Sequence, residues 1–247
     1  MKNSFILATL LFLATIVELQ AQSAKAIIKR IDQNQLFRTQ YMQATMVIQK
    51  GKRRLVKKLV AYSQSKGNKS FMKFTNVEDR GVKYLKLNNN LWIYFPDADD
   101  TMKISGHMLK QGMMGSDLSY EDMLESESLE KRYRYTMKPG RKIRGRKCYV
   151  IVFNAIKKNA TYAKQILYVD KARYIPLKME MYAKGGRLIK VMEQLRVKRI
   201  GRRFYARRTE IIDKRKKNSK TIFLIQKIRF NPSLPRRIFS KRSLKRK

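Results

Sequence analysis

The sequence has few of the residues that most catalytic and metal sites require. Its 247 residues include one cysteine, Cys148, and one histidine, His107. A single cysteine excludes a disulfide framework within the chain and Cys-rich zinc or iron–sulfur sites. A single histidine leaves little room for a histidine-based mechanism or a histidine-rich metal site. No Gly-rich phosphate loop is present, and no Ser/His/Asp arrangement can be defended. The sequence therefore predicts a protein that is not an enzyme and that uses no cofactor and no metal.

Acidic residues are also scarce, with 18 Asp and Glu against 58 Lys and Arg and a net charge of +40. Self-repulsion at this level destabilises a compact chain, so we expect an anionic partner. The imbalance is uneven, because residues 131–247 contain 39 basic and only 5 acidic side chains. Solvation of single lysines does not account for such an excess. The C-terminal half is therefore predicted to present a basic surface.

Long apolar runs are missing as well. Residues 5–17 (FILATLLFLATIV) form an uncharged run of 13 residues, whereas a helix needs about 20 to span a bilayer. Lys2 precedes this run and the small residue Ala21 follows it, which is typical of a secretory signal peptide over residues 1–21. An uncleaved N-terminal anchor is the alternative. Export would expose the mature chain, residues 22–247, to anionic lipid head groups and cell-surface polyanions rather than to nucleic acid.

The remaining chain changes from a helical to an alternating pattern. Apolar residues at helical spacing predict one amphipathic helix over residues 23–37. Period-two alternation between turn residues then predicts twelve strands, over 41–50, 55–64, 71–77, 82–87, 91–95, 131–137, 148–154, 165–169, 175–183, 187–197, 204–213 and 221–230. Pro139-Gly140 is among the predicted turns. We expect a mainly β fold in one domain, with a strongly bent antiparallel sheet.

Residues 96–130 interrupt this rhythm. They are rich in Met, Gly and Asp, and they hold nine carboxylates but only two lysines. A short helix is expected near Tyr120–Leu124. The carboxylates of Asp97, Asp99 and Asp100 fit a turn better than a cation site, and a structural or surface role is expected for His107. Cys148 opens an apolar strand and is expected to be a small buried hydrophobe.

One block of sequence is more specific than these patterns. Residues 91–96 (LWIYFP), 103–106 (KISG) and 114–122 (MGSDLSYED) lie within residues 80–124. This block resembles the outer-membrane lipoprotein-sorting protein family of LolA-like carriers. The resemblance implies an unclosed β-barrel around an apolar cavity with helices as a lid, as in LolA and LolB. It also implies a periplasmic protein that moves acylated lipoproteins or lipids. The chain departs from those carriers in being longer and far more basic.

Candidate lipid-contacting residues follow from the flexible, polarizable character of methionine, which suits a surface that accepts chains of varied shape. Met108, Met113 and Met114 are candidate lid residues, although ordinary core packing is equally expected of them. Trp92 and Tyr94 share one face of a predicted strand, while Leu91, Ile93 and Phe95 share the other. We assign Trp92 and Tyr94 to the cavity and keep the opposite assignment as the alternative.

The sequence thus predicts a periplasmic carrier that holds acyl chains of lipoproteins or lipids and docks on anionic membrane surfaces. An inner-membrane transporter and an outer-membrane acceptor would be its protein partners, and nucleic acid is not expected. Two alternatives remain. The protein could be a secreted basic protein that binds an anionic polymer, or an accessory subunit of an envelope export system.

Overall fold

The computed structural model describes residues 24–64, 68–125, 128–158, 160–235 and 237–246. The predicted signal peptide, residues 1–21, lies outside these ranges. Across the ranges described, the helices are all too short or too polar to cross a membrane.

The described chain forms one antiparallel sheet of 13 strands, as the alternating pattern predicts. The strands are β1 (Thr39–Lys50), β2 (Arg53–Gln64), β3 (Lys69–Phe74), β4 (Lys83–Leu87), β5 (Asn90–Phe95), β6 (Asp100–Ile104), β7 (Tyr133–Ile143), β8 (Arg146–Ala155), β9 (Lys164–Asp170), β10 (Pro176–Tyr182), β11 (Leu188–Ile200), β12 (Arg203–Asp213) and β13 (Ser219–Phe230). Their order in the sheet is β6-β5-β4-β3-β2-β1-β13-β12-β11-β10-β9-β8-β7. Two meanders, β1–β6 and β7–β13, are therefore joined where β1 pairs with β13.

The sheet is not closed, because β6 and β7 are its two edge strands. Residues 105–132 connect these edges along the chain; we call them the crossover. The crossover contains α2 (Tyr120–Leu124) and α3 (Leu129–Arg132) together with short 3-10 turns at Gly106–Lys110 and Met113–Gly115. The chain ends with α4 (Arg242–Lys245). The unclosed barrel and the short helix near residue 120 are confirmed.

The N-terminal helix α1 spans residues 24–35. Its helical spacing places Ala24, Ile27, Ile28 and Ile31 on one buried face. The three isoleucines pack against apolar side chains of β7, β8 and β9. Leu36 follows the helix and remains half exposed, at 52%, so the helix ends before the predicted boundary at residue 37.

Two local expectations are wrong. Strand β6 was not predicted because only Met102 and Ile104 are apolar in its five residues. Pro139-Gly140 is not a turn, since β7 continues through it with a register shift between Lys138 and Arg141. An edge strand tolerates the missing proline N–H. Gly140 is needed there because a Cβ atom would lie 2.8 Å from the carbonyl oxygen of Cys148.

The aspartate-rich loop makes a turn between β5 and β6. Asp99 adopts a positive φ of 44°, and its carboxylate accepts hydrogen bonds from the Tyr94 hydroxyl at 3.0 Å and from Lys245 Nζ at 3.1 Å. These two donors lower the pKa of Asp99. The carboxylate thus joins the loop to α4 at the other end of the chain. Cys148 is fully buried, as expected of a small hydrophobe.

Candidate functional site

Cross-strand register divides the sheet into two faces. Ile93, Tyr84 and Met72 are successive neighbours across β5, β4 and β3, and Met46 faces Phe223 across β1 and β13. This face packs against α2 and the 3-10 turns of the crossover, and its continuation over β7–β9 packs against α1. We call it the inner face. It is the surface that the unclosed barrel and its helices enclose.

Methionines are concentrated on the inner face. Twelve of the chain's 13 methionines are in the described ranges, and every one belongs to an apolar cluster of this face or of the crossover on it. They are Met42, Met46, Met72, Met102, Met108, Met113, Met114, Met123, Met137, Met179, Met181 and Met192. The opposite face of the sheet, which we call the outer face, carries two further apolar clusters, and neither contains any of these twelve methionines. Such a surface can repack around varied apolar shapes.

The crossover is attached to the middle of the sheet by a buried carboxylate. Asp117 is 1% exposed and accepts hydrogen bonds from Ser219 Oγ at 3.0 Å and Thr221 Oγ1 at 2.7 Å, both on β13. Its backbone N–H donates to the same Thr221 hydroxyl at 2.8 Å. Because these groups are out of water, their mutual hydrogen bonds are costly to break.

A second attachment is an ion pair between the crossover and β11. Asp122 accepts a hydrogen bond from Lys190, whose side chain is 1% exposed. The Tyr162 hydroxyl also donates to Asp122, and burial, followed by the neighbouring carboxylate, raises the pKa of that tyrosine. Asp122 completes a capping box with Ser119 at the start of α2. The short helix is therefore fixed both to its own N-terminus and to the sheet.

A buried lysine lies on the same face. Lys86 is 3% exposed and is the cross-strand neighbour of Leu91. Burial lowers its pKa to about 8, and Glu125 of the crossover partly offsets that effect. Burial among apolar side chains disfavours the charged form of a lysine. The folded protein is therefore less stable with Lys86 than it would be with an apolar side chain at this position.

A cavity of about 270 Å³ opens beside the C-terminal end of α1. Its walls combine apolar and aromatic side chains, among them Ile31, Ile225 and Phe230, with a comparable share of polar groups, among them Gln40 and Thr209. The Tyr205 and Phe230 rings meet edge to face with centroids 5.9 Å apart. A cavity with both apolar and polar walls can hold a small amphiphilic molecule, and its volume lies just below the usual range of small-molecule sites.

The structure separates the five predicted lipid-contacting residues. Met108, Met113 and Met114 belong to the inner-face cluster, and Leu91 and Ile93 accompany them. Their contact with lipid stays a prediction.

Trp92 and Tyr94 lie instead on the outer face, where they pack against Ile238, Phe239 and Leu244 of the C-terminal segment. The assignment of this pair to the cavity side is corrected, because the segment supplies the apolar cover that their face requires. The cavity walls were not predicted. Their only sequence signal is the aromatic residues at strand ends, such as Phe204 and Phe230.

Three solved structures share this architecture along nearly the whole chain. A DUF1329 family protein from Desulfovibrio piger is 24% identical with a TM-score of 0.83, covering 91% of this chain and 99% of its own. A putative outer membrane lipoprotein-sorting protein domain from Vibrio parahaemolyticus is 23% identical with a TM-score of 0.80, covering 93% and 100%. A LolA superfamily protein from Nitrosomonas europaea is 20% identical with a TM-score of 0.72, covering 89% and 98%.

These likenesses show that the chain has the same fold as these LolA-like structures. A family model described only as "uncharacterized protein" matches residues 66–246, and the chain belongs to that family. No curated protein matches the chain.

Proposed function

We propose that the protein is a non-enzymatic carrier that binds acyl chains of lipids or lipoproteins against its inner face. The observation that carries this proposal is the methionine-rich inner face of an unclosed barrel, with a cavity beside α1 and a crossover fixed over it by polar contacts. The likeness to a lipoprotein-sorting domain supports the same kind of cargo.

Energetics favour transfer between apolar sites rather than release to water. Each buried CH₂ group contributes about 0.8 kcal/mol, so exposing an acyl chain to water costs many kcal/mol. A carrier with such a cargo must dock on a membrane or a partner protein before exchange. We infer a periplasmic location, with an inner-membrane donor and an outer-membrane acceptor.

The charge distribution supports docking on anionic lipid. All five carboxylates of residues 131–247 form salt bridges with basic side chains, pairing Arg146 with Asp170, Lys178 with Glu180, Arg144 with Glu193, Arg208 with Glu210, and Arg215 with Asp213. Lys220 shares Glu210 with Arg208, so these five carboxylates neutralise only a small part of the 39 basic side chains of this half. Basic side chains near an anionic membrane contribute about 1 kcal/mol each.

Native mass spectrometry of the protein purified from its own envelope tests the carrier proposal directly. We expect bound species that extraction and tandem spectrometry identify as acyl lipids or lipopeptides. Titration with a fluorescent fatty acid should show saturable uptake by the delipidated protein. Absence of acyl species in the first experiment together with no uptake in the second would refute the proposal.

A second candidate function is binding of an anionic polymer, which the net charge of +40 favours. Retention on a polyanion column does not discriminate, because both functions predict it. The two differ in what saturates the protein. A polymer binder would bind no ligand at the inner face. It would take up no fatty acid under conditions in which it still binds the polymer.

A further inference from the structure

Four arginines line a groove directly beside the cavity. Arg30 comes from α1, Arg173 from the β9–β10 turn, and Arg202 and Arg203 from the β11–β12 hairpin. The groove has a volume of about 530 Å³ and shares Asn34, Tyr174 and Phe204 with the cavity wall. These shared residues therefore lie at the boundary between the cavity, whose apolar and aromatic side chains can contact a chain, and the cationic groove.

Three of the guanidinium groups lie on rings of the cavity wall. Arg30 lies 4.6 Å from the centroid of Tyr174 and donates a hydrogen bond to its hydroxyl at 2.6 Å. Arg173 lies 5.7 Å from the Phe204 ring, and Arg203 lies 4.9 Å from the Phe230 ring. Rings and cations thus meet at the boundary between groove and cavity.

One amide holds the three elements in place. Asn34 of α1 donates hydrogen bonds to the carbonyl oxygens of Arg173 at 2.8 Å and Tyr174 at 3.1 Å. Its own side-chain oxygen accepts a hydrogen bond from the N–H of Phe204 at 3.3 Å. Tyr174 has a φ of 50°, which is unusual for a bulky residue and persists only where the surroundings enforce it.

None of these four arginines is in a salt bridge within the part of the chain that the structure describes. Like charges brought together repel, and a bound anion would offset that repulsion. The planar guanidinium presents paired donors that match a carboxylate or a phosphate. The groove is therefore complementary to an anionic head group.

We propose that the groove and the cavity together bind a single-chain anionic amphiphile, its carboxylate or phosphate head among the four arginines and its chain in the cavity. This inference rests on the proposed acyl-binding function and adds the class of head group and its position. The volume of about 270 Å³ suits one short chain or part of a longer one.

Competition for a bound fluorescent probe, N-phenyl-1-naphthylamine, tests the inference on the full-length protein. Decanoate, decyl phosphate and decanol carry the same chain with different heads. We expect decanoate or decyl phosphate to compete about tenfold more strongly than decanol, because charge-assisted hydrogen bonds to arginine are the strong ones. Whichever anion competes better identifies the head group, and either result supports the inference.

Paired variants locate the effect. Arg173→Gln with Arg203→Gln should weaken the anionic competitors about tenfold and leave decanol unchanged. Arg53→Gln with Arg54→Gln, two exposed arginines at the start of β2, is the matched control and should change nothing. Thermal unfolding confirms that each variant is folded.

Two results overturn the inference. The first is equal competition by all three compounds, and the second is an equal loss of competition in both variant pairs. Either result would show that the groove is not a head-group site, while the protein could still be an acyl carrier. Failure of every compound and of the probe to bind would refute the acyl-carrier proposal itself, and the two failures are thereby distinguished.

Discussion

At the residue scale, the inner face is unusual in placing charged groups where apolar side chains would pack. Asp117 and Lys190 are buried, the Asp122 side chain is 11% exposed, and each of the three has a defined partner. A buried pair contributes little net stability, yet removing one member leaves the other charge uncompensated. These residues therefore determine where the crossover lies more than how stable the sheet is.

The ion pair between Asp122 and Lys190 gives the first prediction. Asp122→Asn should lower the free energy of unfolding by about 3 kcal/mol, because the buried Lys190 ammonium loses the carboxylate that contacts it. Its cross-strand neighbour Asp213 remains, but that carboxylate is already paired with Arg215. Adding Lys190→Met to Asp122→Asn should recover part of the loss, since the poorly compensated cation is gone. Urea unfolding of the two single variants and the double variant measures the coupling.

Asp97→Asn is the matched control for that cycle, because Asp97 is exposed. It should change stability by less than about 0.5 kcal/mol. Additive losses in the double variant would show that Asp122 and Lys190 do not interact.

Lys86 gives a pH-dependent prediction. Its folded-state pKa of about 8 lies below its ordinary value of 10.5, so the unfolded chain binds more protons between these values. The contribution of Lys86 to the free energy of unfolding is therefore lowest below pH 8, and it rises as the pH rises from 8 to 10.5. Lys86→Met should stabilise the protein by about 2 kcal/mol at pH 7, and the gain should fall to about a quarter of that value at pH 10.

Urea unfolding of Lys86→Met and of the parent at both pH values tests this directly. Lys69→Met, at an exposed position of β3, should show no such difference. A gain of equal size at pH 7 and pH 10 would mean that the substitution improves packing rather than removing a charge.

At the element scale, the crossover is the part of the fold that must yield if cargo enters the inner face. Asp117→Ala would leave the hydroxyls of Ser219 and Thr221 buried with fewer partners, at a cost of about 1–3 kcal/mol. If the crossover opens locally, amide exchange in residues 105–125 should accelerate by about tenfold to a hundredfold. Hydrogen exchange followed by mass spectrometry resolves this segment.

Exchange in β8 and β9 is the internal control for Asp117→Ala, because these strands pack on α1. Their exchange should stay unchanged. Equal acceleration across all strands would indicate global destabilisation and would contradict a separately opening crossover.

Elements differ in how far the sequence determines them. Twelve strands follow from alternation and turn residues, which are local features. Strand β6 does not follow from alternation, because its residues are mostly polar. It is a strand because it pairs with β5. Pro139-Gly140 reads locally as a turn, yet the continuous partner β8 and the edge position of β7 convert it into a bulge.

The site was less predictable than the strands for the same reason. Which face of β5 is the inner one depends on where residues 238–244 return, far along the chain. The cavity wall joins α1 to strands more than 130 residues away. Alternation within β5 separates Trp92 and Tyr94 from Leu91 and Ile93 correctly, but it cannot say which pair the C-terminal segment will cover.

At the scale of the whole molecule, the proposed docking on anionic membranes depends on the basic excess of residues 131–247. Vesicles with anionic lipid should bind it, and raising the salt from 50 to 500 mM should weaken binding by about tenfold or more because exposed charges are screened. Vesicles of zwitterionic lipid, which have no net charge, should bind the protein weakly at both salt concentrations. Sedimentation of protein with vesicles measures the bound fraction.

Two charge-reversed variants test whether position matters as well as total charge. Lys227→Glu with Arg229→Glu alters exposed residues of β13. Lys103→Glu with Lys110→Glu alters one exposed residue of β6 and one exposed residue of the crossover. Both pairs reduce the net charge equally. If the basic half is the docking surface, the β13 pair should lose several times more affinity, since attraction falls off within a Debye length. Equal losses would show that only the total charge attracts the protein to the membrane, and they would contradict docking through the basic half.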